Sequence, residues 1–137
     1  MTDKVTGRCL CGAVTYEATG PLRDVTACHC EQCRRTSGHF VAATAAARDN
    51  FRITRADGLK WYRSSNRARR GFCGSCGASL FWDADDGPTI SIMAGTLDSP
   101  TNLKLAGHIF TGFAGDYYSL DDGLPSHRLW PGAPDTQ

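Results

Sequence analysis

The stretch Cys73-Gly74-Ser75-Cys76-Gly77 has the form of a zinc knuckle, two cysteines three positions apart followed by a glycine. Two thiolates at this spacing can bind one tetrahedral Zn²⁺, and the glycine allows the positive φ that turns backbone N–H groups toward the sulfurs. Structural zinc sites usually have four protein ligands, and Cys9-Leu10-Cys11-Gly12 supplies a second pair. The sequence therefore predicts one structural zinc bound by Cys9, Cys11, Cys73 and Cys76. The alternative, a redox Cys-x-x-Cys motif, lacks the βαβ context that such a motif needs.

The other three cysteines lie within Cys28-His29-Cys30-Glu31-Gln32-Cys33. In an extended segment Cys28 and Cys30 project to one face and His29 to the other, so His29 is not expected to complete the same site. Three protein ligands and an open fourth position are typical of a catalytic zinc, which can take water or a substrate atom there. Two alternatives remain: a fourth ligand from His39 or His108, or partial disulfide formation on isolation. We expect two Zn²⁺ per chain, the second site being partly occupied.

Length and composition are those of a small globular protein. With 137 residues the chain suits one domain, expected over residues 5–130, with a disordered tail over residues 131–137. Seven cysteines cannot all pair in internal disulfides, and clustered cysteines in a reducing compartment more often bind metal. No stretch approaches the roughly 20 apolar residues that span a bilayer, and the first residues lack the pattern of a secretory signal. We expect a cytoplasmic protein with no membrane partner.

Short extended segments separated by turn residues dominate the chain, which is typical of an all-β fold. One helical turn is expected over residues 31–36, ended by Ser37-Gly38. The alanine run over residues 42–47 is helical on propensity alone, so that segment has two interpretations. The fold class expected is mainly β with little helix, and the predicted extended segments are residues 13–18, 24–27, 40–46, 51–54, 59–63, 78–82 and 89–94.

The charge is nearly balanced, with 15 Lys and Arg against 14 Asp and Glu. This balance argues against a protein that binds nucleic acid through its overall field. One local exception has seven basic residues and a single acid: Arg52, Arg55, Lys60, Arg63, Arg67, Arg69 and Arg70, with Asp57. Trp61 and Tyr62 lie inside this stretch and could stack on bases. Nucleic-acid binding is nevertheless disfavoured, because there is no separate basic arm.

Four motifs in order resemble the glutathione-dependent formaldehyde-activating enzyme family, also called the centromere protein V/GFA domain. The resemblance extends from about Gly7 to about Pro125 and covers most of the chain. The motifs are Gly7-x-Cys9-x-Cys11-Gly12, Cys28-His29-Cys30-x-x-Cys33-Arg34-x-x-Ser37-Gly38, Phe72-Cys73-x-x-Cys76-Gly77 and Ala94-Gly95-Thr96-Leu97-Asp98.

This resemblance implies a single-domain, zinc-stapled β-fold like the Mss4-like β-tent. It implies a structural zinc on Cys9, Cys11, Cys73 and Cys76, and a catalytic zinc on Cys28, Cys30 and Cys33. The chain departs from the family in the segment that begins at His108, where the family resembles His-Ile-x-x-x-x-Lys-x-x-Trp. Here the segment contains no basic residue and has Tyr in place of Trp.

The activity implied by the resemblance is that of a zinc-dependent carbon–sulfur lyase or synthase acting on a thiol adduct, as in S-(hydroxymethyl)glutathione formation from glutathione and formaldehyde. The partner is then a small-molecule thiol such as glutathione. Proton transfer is assigned to His29, His39 or His108, and binding of substrate carboxylates to Arg34, Arg35 or Arg70. The alternative is a non-catalytic, zinc-binding protein-interaction module of the Mss4-like type. The sequence carries no signal for an oligomeric state.

Overall fold

The computed structural model describes residues 4–132, which contain ten strands and one α-helix. In chain order these elements are β1 (Lys4–Arg8), β2 (Val14–Thr19), β3 (Val25–Cys28), α1 (Glu31–Ser37), β4 (Val41–Ala47), β5 (Phe51–Ala56), β6 (Leu59–Arg63), β7 (Ala68–Cys73), β8 (Ser79–Ala84), β9 (Thr89–Met93) and β10 (Leu105–Ile109). Short 3₁₀ turns occur at Arg48–Asn50, Ala94–Thr96 and Thr111–Phe113. The protein is therefore mainly β, as the sequence predicts.

Two compact units divide the chain. The described residues of the first unit fall within Met1–Arg23 and Thr44–Leu103, and those of the second fall within Asp24–Ala43 and Lys104–Gln137. The first unit contains an antiparallel sheet in the order β1-β2-β5 and a run of strands in the order β9-β8-β7-β6. In the second unit β10 pairs in parallel with β3, and β3 pairs antiparallel with the first residues of β4.

The core of the first unit combines apolar side chains with cysteines. Alternate residues of β2 are buried, as expected for a strand with one face on a core. The Tyr16 ring on this face packs against Phe51 and Phe81, with ring centroids 5.8 and 5.2 Å away. Cys9 and Cys73 belong to the same buried cluster and are 1% and 0% exposed. The sulfurs of these residues are therefore part of the interior of the unit.

The second unit places a strand end and a short helix next to each other in the chain. Strand β3 ends at Cys28, Cys30 is the N-cap of α1, and Cys33 lies in its first turn. The helix ends at Gly38, whose φ of 86° is left-handed and whose N–H donates to the carbonyl of Arg34. A glycine suits this cap because other residues rarely adopt such a φ.

Most of the predicted segments are confirmed within two residues at either end. The alanine run belongs to β4, so the helical interpretation of residues 42–47 is wrong; pairing within the sheet outweighs the propensity of alanine. Strands β1, β7 and β10 were not predicted, because glycine and basic residues interrupt their alternation. Of the expected tail, Pro131 and Gly132 form a turn and residues 133–137 lie outside the described residues. The single domain over residues 5–130 stays a prediction.

Within residues 4–132 no helix combines the length and the apolar character needed to cross a membrane.

Gly7→Ala is expected to destabilise the first unit, because a Cβ at this position would lie 2.2 Å from the Tyr16 hydroxyl oxygen and 2.7 Å from the carbonyl oxygen of Thr96. Overpacking of this kind costs about 1–3 kcal/mol in the free energy of unfolding. Gly95→Ala is the matched control, since a Cβ there would meet no atom within 4 Å. Urea unfolding measures both variants. An equal loss in the two variants would contradict the close packing of β1 on β2.

Candidate metal centres

Four cysteine sulfurs converge in the first unit. Cys9 follows β1, Cys11 lies in the turn before β2, Cys73 ends β7 and Cys76 lies in the turn before β8. The Sγ atoms of Cys9 and Cys11 are 3.7 Å apart, those of Cys11 and Cys73 are 3.8 Å apart, and all four lie within 4.8 Å of one another. Tetrahedral zinc with bonds of about 2.3 Å requires sulfurs about 3.8 Å apart, so this donor set fits Zn²⁺.

Backbone amides of the two turns face the sulfurs. The Val14 N–H donates to Cys9 Sγ over 3.3 Å, and the Cys76 N–H donates to Cys73 Sγ over 3.4 Å. Gly12 and Gly77 have φ values of 83° and 81°, which confirms that each turn uses its glycine in the left-handed region. The hydrogen bond from Val14 favours the thiolate form of Cys9, which is the form that binds metal.

The turn between β5 and β6 closes tightly over the same cluster. A Cβ built on Gly58 would lie 2.7 Å from Cys73 Sγ and 2.9 Å from the Ala13 Cβ. The Gly58 N–H donates to the carbonyl of Ala13, and its own carbonyl accepts from Gly74. Only glycine leaves room here, so the Asp57-Gly58 turn covers the cluster as well as joining two strands.

The pKa values within this cluster diverge. A hydrogen bond from the Cys11 backbone N–H is the main cause that lowers the pKa of Cys76 to about 6. Burial and the neighbouring thiols raise the pKa of Cys11 to about 11, despite a backbone hydrogen bond from Ala13 that lowers it. Closely spaced sulfurs cannot all be ionised without a compensating positive charge. A divalent cation supplies that charge, which is a second reason why the donor set fits a metal.

The second cluster consists of Cys28, Cys30 and Cys33, whose sulfurs lie within 4.8 Å of one another. The Cys33 N–H donates to Cys30 Sγ over 3.3 Å, so the N-cap interaction of α1 also positions a sulfur. Hydrogen bonds from Cys28 and Cys33 lower the pKa of Cys30 to about 2, whereas the contacts of Cys28 with Cys30 and Cys33 raise the pKa of Cys28. This cluster therefore also favours a bound cation, with three thiolate donors.

The histidines do not join the cysteines within residues 4–132. His29 is fully buried, and its ring contacts Tyr118 and His108 rather than a sulfur. Its Nδ1 lies 2.5 Å from the Tyr118 hydroxyl, and its Nε2 lies 2.9 Å from His108 Nδ1. His39 Nδ1 lies 2.7 Å from the Tyr117 hydroxyl. Since neither His39 nor His108 belongs to the sulfur group, the interpretation in which one of them is the fourth ligand has no support.

A chain of hydrogen bonds continues from His29 to the surface. His108 Nε2 lies 2.8 Å from an oxygen of Asp122, whose other oxygen accepts from the Leu124 N–H. Burial is the main cause that lowers the pKa of His29, and the charges of His108 and His39 lower it further. Tyr118 and Asp122 are the members that sequence reasoning missed, because they lie in an irregular segment without periodicity.

The three candidate arginines differ in their surroundings. Arg35 pairs with Glu31 one helical turn away, at 2.9 Å. Arg34 has a buried Nε with no hydrogen-bond partner and makes no ion pair with any carboxylate of residues 4–132. Arg70 lies in the first unit on β7, in register with Tyr62 and Trp82. Of the two candidate arginines of the second unit, Arg34 is thus the one without an ion pair to a carboxylate of the described residues.

Several arginines of the basic stretch in the first unit pair with acidic side chains. Arg52 binds Glu17 at 2.6 Å, Arg55 binds Asp57 at 2.8 Å, and Arg69 binds Asp83 at 3.0 Å while lying over the Trp61 ring. Arg63 pairs with Asp85. These ion pairs involve four of the seven basic side chains of the stretch.

Comparison with known proteins identifies similar sequences and structures. A family model described as glutathione-dependent formaldehyde-activating enzyme matches residues 4–112. An uncharacterized lyase of Schizosaccharomyces pombe is 32% identical over 82 residues, which cover 59% of this chain and 58% of that protein. The chain therefore matches less than two thirds of the length of this curated relative. A crystal structure of a Rhodobacter sphaeroides protein superposes with a TM-score of 0.57 and 29% identity, covering 69% of this chain and 88% of the other.

Cys76→Ser is expected to unfold the protein, whereas Cys33→Ser is expected to leave it folded with one zinc fewer. The first substitution removes a proposed ligand that packs against the buried core of the first unit, where metal binding would contribute directly to the free energy of folding. Thermal unfolding followed by circular dichroism and native mass spectrometry under reducing conditions measure both properties. Equal loss of thermal stability in the two variants would show that the division of roles is wrong.

Proposed function

Because this chain belongs to the glutathione-dependent formaldehyde-activating enzyme family, we propose that it is a zinc-dependent carbon–sulfur lyase whose substrate is the adduct of glutathione and formaldehyde. Similarity to a protein named as a lyase supports the reaction class. The proposed structural ion is bound by Cys9, Cys11, Cys73 and Cys76. The proposed catalytic ion is bound by Cys28, Cys30 and Cys33.

The observation that carries this proposal is the three-sulfur cluster of the second unit. No fourth His, Cys, Asp or Glu of residues 4–132 brings a ligand atom within 4.8 Å of all three sulfurs. A zinc ion bound by three protein ligands can take a substrate sulfur or oxygen and lower the pKa of a bound thiol. A thiol near its ordinary pKa of about 8.5 is mostly protonated at neutral pH, so this is the assistance that a thiol addition needs.

The reaction itself conserves atoms and electrons. The thiol sulfur forms a bond to the aldehyde carbon, the carbon–oxygen π bond breaks, and the thiol proton ends on the new hydroxyl oxygen. Cleavage of the adduct is the reverse process. The protein therefore has to orient the two reactants and to provide polar contacts to the hydroxymethyl group, but no redox cofactor is needed.

Substrate binding is assigned to Arg34. Glutathione has two carboxylates, and a guanidinium can bind a carboxylate through two parallel hydrogen bonds. Arg34 follows the sulfur ligand Cys33 directly on α1, and its Nε lacks a partner. The neighbouring Arg35 is already paired with Glu31. A reducing compartment such as the cytoplasm suits both the free thiols of the protein and its proposed substrate.

The wild-type protein is expected to accelerate exchange between glutathione, formaldehyde and S-(hydroxymethyl)glutathione, and Cys33→Ser is expected to lose this acceleration. Two-dimensional exchange NMR measures the rate at equilibrium, with the protein-free reaction as the baseline. Asp121→Asn, which changes an exposed carboxylate of the same unit, should keep the full rate. A wild-type rate equal to the baseline would refute the proposed activity.

Arg34→Gln is expected to raise KM for glutathione roughly tenfold with kcat changed by less than about twofold, because a lost charge-assisted contact weakens binding uniformly. Steady-state kinetics measure both constants. Arg67→Gln, at an exposed position of the first unit, controls for the loss of a positive charge. If Arg35→Gln raised KM more than Arg34→Gln did, the assignment of the carboxylate contact to Arg34 would be wrong.

A further inference from the structure

Helix α1 lies within the loop that joins β3 to β4 in the second unit. The antiparallel pair of Cys28 on β3 with Val41 on β4 closes this loop at its base. The two ends of the loop have contacts of their own. The His29 N–H donates to the carbonyl of Ile109 over 3.0 Å, and the rings of His29 and Phe40 pack with centroids 4.8 Å apart. The base of the loop is therefore held without any contribution from α1.

The helix in the middle of the loop buries little of its own surface. Within Glu31–Ser37, Cys33 is the only buried residue, Arg34 is half-buried and the other five residues are exposed. The ion pair between Arg35 and Glu31 stabilises the helix only slightly, because both side chains are mostly exposed. Isolated helices shorter than roughly 12–15 residues are marginal in water, and α1 has seven. The sequence of α1 by itself therefore does not account for its helical state.

The N-cap of α1 and its buried position are both cysteines of the three-sulfur cluster. Cys30 is the N-cap, and its sulfur accepts the Cys33 N–H where a Ser, Thr, Asp or Asn oxygen is usual. Sulfur is a weak acceptor, so this cap stabilises a helix less than an oxygen does. Both sulfurs lie within 4.8 Å of the sulfur of Cys28, at the end of β3. A cation bound by all three would join α1 to the fixed base of the loop.

We propose that a divalent metal ion bound by the three sulfurs holds α1 in place, and that residues 31–38 are disordered without it while the rest of the second unit stays folded. Metal binding then replaces the apolar anchoring that the helix lacks. Arg34, which lies on α1, has a defined position only in the metal-loaded protein. The inference shares with the proposed function only the metal at this cluster, and it involves no substrate.

Amide hydrogen exchange followed by NMR tests this inference in the full chain, prepared with Zn²⁺ under reducing conditions. Two amides report on α1: the Arg34 N–H donates to the Cys30 carbonyl over 2.9 Å, and the Gly38 N–H donates to the Arg34 carbonyl over 2.8 Å. Cys28→Ser removes a proposed ligand without changing any residue of the helix. We expect both amides to exchange at least about tenfold faster in this variant than in the wild-type protein. Native mass spectrometry should show one zinc fewer.

The His29 N–H measures the base of the loop, and its exchange rate should change by less than about threefold in Cys28→Ser. Thr26→Ser is the matched control, because it changes a side chain of the same strand and removes no sulfur. The α1 amides of this control should exchange as in the wild-type protein. Equal exchange of the Arg34 and Gly38 amides in wild type and Cys28→Ser, at whatever rate, would overturn the inference. So would an equal acceleration at His29, which would indicate unfolding of the whole unit.

Limited proteolysis is the second readout. Trypsin cleaves after basic residues, and cleavage requires a locally unfolded segment. Arg34 and Arg35 lie in α1, so Cys28→Ser should be cut after them at least about tenfold faster than the wild-type protein and Thr26→Ser. Cleavage there at the same rate in wild type and Cys28→Ser would contradict the inference. Neither readout involves glutathione or turnover, so absence of exchange activity alone would refute only the proposed reaction.

Discussion

The fold of the first unit depends on one constraint, the close approach of four cysteine sulfurs. It brings the turn between β1 and β2 to the turn between β7 and β8, and two of the sulfurs are part of the apolar core. Small proteins bury too little apolar surface to be very stable, and a metal that joins distant segments compensates for this. Placing these four side chains close together requires tight turns. The left-handed glycines, the N–H bonds to sulfur and the close approach of Gly58 are features of those turns.

The two cysteine clusters share a local turn geometry but differ in the number of sulfur donors that they bring together. In both, a backbone N–H three residues ahead donates to a sulfur, as Cys76 does to Cys73 and Cys33 does to Cys30. In the first cluster the chain continues into a strand, and a second pair of cysteines completes the set. In the second cluster it continues into α1, and no second pair is present among residues 4–132. The same turn chemistry therefore supports a closed site in one unit and a site with three protein donors in the other.

Sequence reasoning located the cysteine groups because their spacing is local and the chemistry of thiolates with zinc is restrictive. It placed His29 away from the sulfurs because alternation along a strand decides the side on which a residue lies. It could not find the contacts of His29 with Tyr118 or of His108 with Asp122, because these join segments far apart in the chain through an irregular loop. Nor could it tell Arg34 from Arg35, since the difference lies in the Glu31 side chain that pairs with only one of them.

Helix α1 carries a sulfur donor and a cationic side chain at consecutive positions, Cys33 and Arg34. The Cα positions of these two residues are consequently set by one stretch of helical backbone and do not depend on how loops are arranged. A ligand that uses both must match this span with the chain between its own thiol and carboxylate. Under the proposed function, α1 would therefore distinguish thiols by the number of atoms between the sulfur and the carboxylate.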